Sequence, residues 1–227
     1  DIGYDDNNVV LDENRNMKHA KANVLKEALL SNPNIIAVGL KNGGREGTMA
    51  RINKNKEVGF DFETIDAGYL PLYKIPIVKG RNFSPEFPAD SSKSMLVNET
   101  FAKNAGWTDP IGQEIDFYYK NEKFTVVGVV KDYHFRSLNE AIGPQVYTLN
   151  PKKDFGLAFI KIKPNSETAS LQHIEATFKK LFPLNPYTYK FKDLENQRAY
   201  ESEAKWKQMM LFGALLTIFI SSIGLFG

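Results

Sequence analysis

The beginning of the chain alternates between short apolar runs and one amphipathic stretch. Residues 17–31 carry apolar side chains at helical spacing, which predicts a helix with one buried face. We expect this helix to end at Asn32, because Pro33 disfavours the helical conformation in the residue before it. The apolar runs at 9–11 and 35–38 predict buried strands on either side. This part of the chain therefore predicts the order strand, helix, strand.

The same order recurs later in the chain. Residues 157–163 alternate between apolar and polar side chains, as a strand with one buried face does. An apolar stripe at helical spacing follows over 171–182 and ends at Pro183, and residues 187–191 alternate again. Two such units predict an α+β fold that contains a split βαβ, ferredoxin-like layer with its helices on one face.

The pattern of apolar and polar positions is different between the two units, and we interpret residues 48–139 as a β-rich insertion. Residues 114–130 predict a hairpin. Asn98 is placed to cap a short helix, with Glu99 in the first turn where a negative charge is favourable. Gly128 lies between two valines in a predicted strand, so we expect backbone or a side chain to approach it closely.

The last part of the chain predicts a stalk and a membrane anchor. Residues 193–208 contain good helix formers and no breaker, and residues 209–227 carry no charge. An uncharged and mostly apolar helix of this length is typical of a segment that enters a bilayer. We therefore expect the stalk helix to continue into the start of a transmembrane helix. The expected anchor side chains are Trp206, Leu211, Phe212, Leu215, Leu216, Ile218, Phe219 and Ile220.

Charge and composition exclude several kinds of function. With 29 Lys and Arg against 27 Asp and Glu, the chain has no excess of positive charge for nucleic acid. There is no cysteine, and the three histidines, His19, His134 and His173, form no zinc-binding motif. No phosphate-binding loop is present. We therefore predict that the domain is not an enzyme and has no metal site, cofactor or nucleic-acid partner.

Several short motifs follow one another in the middle of the chain, at 80–83, 97–102, 106–112 and 126–132. Their order and spacing resemble those of the extracytoplasmic domain of MacB/FtsX-type ABC transporter permeases, in the variety of Bacteroidetes-like bacteria. Residues 223–227 resemble the start of the FtsX-like membrane block. The positions that match the family's motifs, in structural roles, are Gly80, Arg81, Phe83, Asn98, Glu99, Pro110, Gly112, Gly128 and Asp132.

The resemblance implies a domain organisation. Residues 1–47 and 140–192 would form a discontinuous porter-like subdomain, and residues 48–139 an inserted Sabre-like subdomain. Residues 193–208 would be the stalk and residues 209–227 the start of a transmembrane helix. In such permeases one transmembrane helix precedes this domain and three follow it.

The resemblance also implies a function. The domain would lie in the periplasm, anchored in the inner membrane, and would couple ATP hydrolysis by a partner subunit to conformational change outside the membrane. Its partners would be an ABC ATPase, a second permease subunit in a homo- or heterodimer, and a periplasmic or outer-membrane protein. Its role would be export or the handling of lipoproteins, peptides or drugs. The alternative is a membrane-tethered sensor or scaffold, including FtsX-like regulation of cell-wall hydrolases.

Overall fold

A computed structural model of the protein describes residues 8–17, 19–42, 46–53, 56–117, 121–133, 141–149, 155–191, 209–214, 217 and 221. Its strands and helices are β1 (Asn8–Met17), α1 (His19–Leu30), β2 (Ile35–Lys41), β3 (Glu46–Ile52), β4 (Lys56–Thr64), α2 (Tyr69–Leu72), β5 (Ile77–Gly80), a 3₁₀ turn (Pro88–Ser91), β6 (Ser94–Asn98), α3 (Glu99–Ala105), β7 (Glu114–Phe117), β8 (Glu122–Val130), β9 (Gln145–Thr148), β10 (Phe155–Ile162), α4 (Glu167–Leu181) and β11 (Tyr189–Phe191).

The smaller of two sheets contains the first and last strands in the order β11-β1-β10-β2, and every neighbouring pair is antiparallel. The two long helices α1 and α4 contact each other, and their apolar side chains join one core with the sheet. Leu25 and Leu29 of α1 and Ile174 and Phe178 of α4 are buried there. The predicted helices at 17–31 and 171–182 are therefore present, with slightly different ends.

Both faces of the smaller sheet are apolar, which is unusual for an antiparallel sheet. Along β1, Val9 and Leu11 point into the core under the helices. Val10 points the other way, opposite Phe159 of β10, and these two residues belong to a second core. This alternation, which follows from the two-residue period of a strand, prepares the sheet to pack against the rest of the molecule.

The larger sheet has the strand order β5-β8-β6-β9-β4-β3-β7, and β7 also pairs with β8. Because of this pairing the sheet curls and closes on itself, and the strands from β8 to β7 form a ring. Apolar side chains from the strands and α3 fill its inside, including Phe60, Phe101 and Phe117. Two pairs of these rings, Phe60–Phe101 and Phe60–Phe117, meet edge to face.

A β-bulge in β8 accompanies this closure. Met95 of β6 pairs with Val126, but the next residue, Leu96, pairs with Gly128, so Val127 is skipped. Bulges increase local twist and bend a strand. The bend coincides with the change of partner along β8, whose first half pairs with β7 and whose second half pairs with β5 and β6.

The structure places β9 differently from the domain limits expected from the sequence. The sequence predicts that residues 140–192 belong to the porter-like subdomain, whereas β9 lies in the larger sheet, parallel to β4 and antiparallel to β6. All four of its residues are buried. A short strand buried on both faces carries no alternating pattern, so the sequence contained no signal for the sheet to which it belongs.

The predicted stalk at 193–208, including Trp206, lies outside the described residues. Beyond it, residues 209–214 are helical, and Leu211 and Phe212 are exposed. The other expected anchors, Leu215, Leu216, Ile218, Phe219 and Ile220, also lie outside the described residues. Within the described ranges no helix is both long and apolar enough to cross a membrane.

Candidate functional site

The region that unites the two sheets is the candidate functional site, and we call it the joint. It comprises residues 38–42 in and just after β2, residues 63–73 from the end of β4 through α2, and the side chains of Lys26 and Phe159 that contact them. Its centre is an aromatic cluster. The ring of Phe159 from β10 contacts the rings of Tyr69 and Tyr73, with centroid distances of 5.4 and 5.6 Å. The two tyrosine rings meet at 5.3 Å. All three side chains are buried.

Backbone hydrogen bonds close the open edge of β2 against the larger sheet. The amide of Asn42 donates to the carbonyl of Thr64 at 2.9 Å, and the amide of Asp66 donates to the carbonyl of Leu40 at 3.0 Å. The Asn42 side chain accepts from the amide of Thr64 at 2.9 Å. Because an exposed strand edge offers unpaired backbone groups, this pairing both satisfies β2 and attaches it to β4.

Two ion pairs cross the joint. Lys26 of α1 pairs with Asp66, whose other carboxylate oxygen accepts from the amide of Leu40 at 2.8 Å. Lys41 of β2 pairs with Glu63 of β4 at 2.7 Å, and the Glu63 side chain is 1% exposed. Removing one partner of such a buried pair is costly, because the remaining charge stays out of water.

Two glycines let the backbones approach at the joint. A Cβ atom on Gly39 would lie 2.8 Å from Cα of Tyr69, and one on Gly68 would lie 2.5 Å from the carbonyl oxygen of Val38. These distances are shorter than any normal contact, so a larger residue at either position would force β2 and α2 apart. The joint thus combines apolar packing, backbone pairing, buried charge and close approach.

Three of the family-motif residues converge on β8 near the joint. Gly80 has φ of +74°, and a Cβ on it would meet the carbonyl oxygen of Val127 at 2.3 Å. A Cβ on Gly128 would meet the carbonyl oxygen of Arg81 at 2.2 Å. The close approach expected at Gly128 is therefore confirmed. Phe83 lies in the core between the sheets and is 3% exposed.

Arg81 organises the loop that follows it. Its guanidinium donates to both oxygens of Asp90 at 2.6 and 2.9 Å and lies 3.7 Å from the centre of the Phe87 ring. Burial opposes the charge on Asp90, but hydrogen bonds from Arg81, the Ser84 amide and Ser94 outweigh it, and the pKa of this carboxyl is lowered. The neighbouring Asn82 donates to the carbonyl of Ala67 at 3.0 Å, which ties this loop to the joint.

Asn98 and Glu99 act at the start of α3, as the sequence predicted. The Asn98 side chain accepts from the amide of Phe101 at 2.9 Å and caps the helix. The same oxygen accepts from the amide of Gln145 at 2.8 Å, which secures β9. Glu99 accepts from the amide of Asp132 at 2.9 Å.

The remaining motif residues stabilise turns. The Asp132 side chain accepts from the amide of Thr100 at 3.0 Å and from its hydroxyl at 2.6 Å, which completes the link between α3 and the end of β8. Pro110 accepts from the amide of Gln113 at 3.2 Å, and Gly112, with φ of +82°, donates to the carbonyl of Val126 at 2.8 Å. Each motif residue therefore takes part in a hydrogen bond, a close packing contact or a turn of the fold.

The sequence did not reveal the joint itself. Lys26, Lys41, Glu63 and Asp66 are ordinary charged residues in the sequence, and their partners lie far away along the chain. Only Gly39, inside an apolar run, hinted at a close approach. In the part of the chain that the structure describes, no group of three or more His, Asp or Glu side chains is placed to hold a metal ion.

The molecule consists of two packed sheets, and its motif residues Gly80 and Gly128 lie where a side chain does not fit. It is a two-part α+β domain of the kind found outside the membrane in ABC transporter permeases. The chain matches the family of MacB-like periplasmic core domains over residues 5–177 and belongs to it. No curated protein matches the chain.

Solved structures share this fold at low sequence identity. The periplasmic region of MacB from Actinobacillus actinomycetemcomitans superimposes with a TM-score of 0.65 at 17% identity, over 88% of this chain and 94% of that one. The extracellular domain of the noncanonic ABC-type transporter YknZ from Gram-positive bacteria superimposes with a TM-score of 0.57 at 14% identity, over 81% and 98%.

Proposed function

We propose that this domain is a lever that transmits ATP-driven movement of a permease to the space outside the inner membrane. The observation that carries this proposal is the joint, which attaches the two sheets by buried ion pairs and backbone pairing within a fold of the permease family. A lever has to move without bending, and a joint of this kind resists bending because loosening it would uncover unpaired charges.

The proposal assigns a part to each region. The smaller sheet with α1 and α4 would be the porter-like subdomain with its split βαβ units, and the larger sheet the Sabre-like subdomain. Residues 193–208 would be the stalk that carries movement from the membrane, and residues 209–227 the start of the transmembrane helix. The motif residues, from Gly80 to Asp132, would have structural rather than catalytic roles.

The proposal also requires partners. Movement would be driven by an ABC ATPase, a separate subunit or fused elsewhere, and two permease subunits would form a homo- or heterodimer. A periplasmic or outer-membrane protein would receive the movement. The work done would be export or the handling of lipoproteins, peptides or drugs.

A gentle detergent pull-down of the full-length protein from native membranes tests this proposal. We expect an ABC-type ATPase to be recovered together with the permease. Recovery without an ATPase, from a protein whose remaining sequence also lacks one, would overturn it. That outcome would favour the alternative of a membrane-tethered sensor or scaffold, including one that regulates cell-wall hydrolases.

A further inference from the structure

The ion pairs of the described residues differ in what they connect. Four of them stay within one sheet and its attached loops or helices: Lys79–Asp109, Arg81–Asp90, Glu114–Lys123 and Glu175–Lys179. Two others, Lys26–Asp66 and Lys41–Glu63, connect α1 and β2 of the smaller sheet's layer to β4 and the segment that follows it. Ion pairs are therefore present across the joint as well as on the surface.

The Lys26–Asp66 pair connects more structural elements than the Lys41–Glu63 pair does. The Asp66 carboxylate contacts both the smaller sheet and the helix layer above it. One oxygen accepts from the amide of Leu40 in β2, and the other pairs with Lys26 in α1. Glu63 pairs with Lys41 of β2, a strand that the Asn42–Thr64 backbone contact already holds. Asp66 thus connects α1 and β2 to the segment that follows β4 of the larger sheet.

Gly68 provides a second, independent observation at the same place. A Cβ on Gly68 would lie 2.7 Å from the Lys26 ammonium nitrogen and 3.4 Å from a carboxylate oxygen of Asp66. The missing side chain therefore leaves the space in which the ion pair lies. A larger residue at Gly68 would therefore meet both this ion pair and the carbonyl oxygen of Val38.

We propose that Lys26 and Asp66 are positioning residues that hold α1, β2 and α2 in one fixed arrangement, so that the two sheets turn as a single body. The importance of this ion pair for transport rests on the function proposed above, but the rigidity that it gives to the joint does not. A permease with this joint intact bends outside the two sheets, and one with the pair removed bends at the joint.

Hydrogen–deuterium exchange on the whole chain tests this inference with matched variants. Lys26→Met removes the crossing pair, and Lys79→Met removes an exposed pair by the same substitution. Asp66→Asn is a milder variant, because the amide oxygen can still accept from Leu40 while the charge is lost. We expect amides of residues 65–73 to exchange about tenfold faster in Lys26→Met and Asp66→Asn, with Lys79→Met behaving like the wild type.

Amides of β6 and β10 are the internal reference, because each of these strands is hydrogen-bonded to a neighbouring strand on both sides within its own sheet. Unchanged exchange at 65–73, or the same acceleration in β6 and β10, would overturn the inference. Transport by the full-length permease separates the two proposals. Faster exchange at the joint together with undiminished ATP-driven transport would support the positioning role of Lys26 and Asp66 and contradict the function proposed above.

Discussion

The two sheets are stabilised by different means, and the difference shows where each is vulnerable. The smaller sheet is held by periodic apolar contacts between its strands and α1 and α4. The larger sheet also has an apolar inside, but its closure depends on a bulge, on glycines without room for a side chain, and on polar contacts such as Arg81–Asp90. Substitutions that remove side-chain volume should therefore destabilise the smaller sheet most. Substitutions that add volume or remove a charge should destabilise the larger sheet most.

The largest effect is expected from Phe178→Ala in the smaller sheet. The Phe178 side chain is 1% exposed and contacts the rings of Phe182 and Tyr187. Its removal should lower the free energy of unfolding by about 3–5 kcal/mol through the lost contacts and the cavity. Urea denaturation measures this, with Phe178→Leu as a milder control. Equal stability of Phe178→Ala and wild type would contradict the described helix–sheet core.

Gly128→Val tests the larger sheet by adding volume. The carbonyl oxygen of Arg81 occupies the space that a side chain needs, so the free energy of unfolding should fall by about 1–3 kcal/mol. Gly143→Val is the matched control, because nothing lies within 4 Å of a Cβ at that position. The prediction fails if both variants melt at the same temperature as the wild type.

Asp90→Asn tests the polar contacts of the larger sheet. At neutral pH the substitution should cost about 1–3 kcal/mol, because Arg81 loses a charged partner that is buried. The pKa of Asp90 is lowered on folding, so the contribution of its charge is complete above the unfolded carboxyl pKa of about 4 and disappears as the pH falls through the lower folded value. The stability difference between wild type and variant should therefore shrink on acidification. A difference that stays constant from pH 7 to pH 2 would contradict this explanation.

The smallest effect is expected from Lys79→Met. Lys79 and Asp109 form a pair at 2.9 Å, but both side chains are largely in water. Such pairs contribute little, because solvent and salt screen them. The melting temperature should not change, and a clear decrease would show that the exposed pairs of the larger sheet also contribute to its stability.

Local patterns allowed the sequence to predict part of this structure. α1 and α4 could be placed because apolar residues recur at helical spacing, and the hairpin of β7 and β8 because two strand-like runs flank a short turn. The Asn98 cap and the close approach at Gly128 also follow from local chemistry. Each of these signals lies within a few residues of the feature that it predicts.

The rest depends on contacts between distant parts of the chain. The joint needs Leu40 beside Asp66, and β9 needs Thr148 beside Ile65, and no local pattern announces either pair. The Val127 bulge likewise lies in the pairing of β8 with β6, two strands that are far apart in the sequence. Charged residues such as Lys26 acquire their role from the fold, which is why the candidate site was not predicted from the sequence.

The central claim is that the two sheets move as one body, and a distance between them in the working permease tests it most directly. Val24 on α1 and Val78 on β5 are 50% and 48% exposed, and the chain contains no cysteine, so spin labels can be placed at Val24→Cys and Val78→Cys. We predict one distance between the two labels, unchanged between the nucleotide-free and ATP-bound states of the full-length permease with its ATPase. A distance that shifts between the two states would contradict the account.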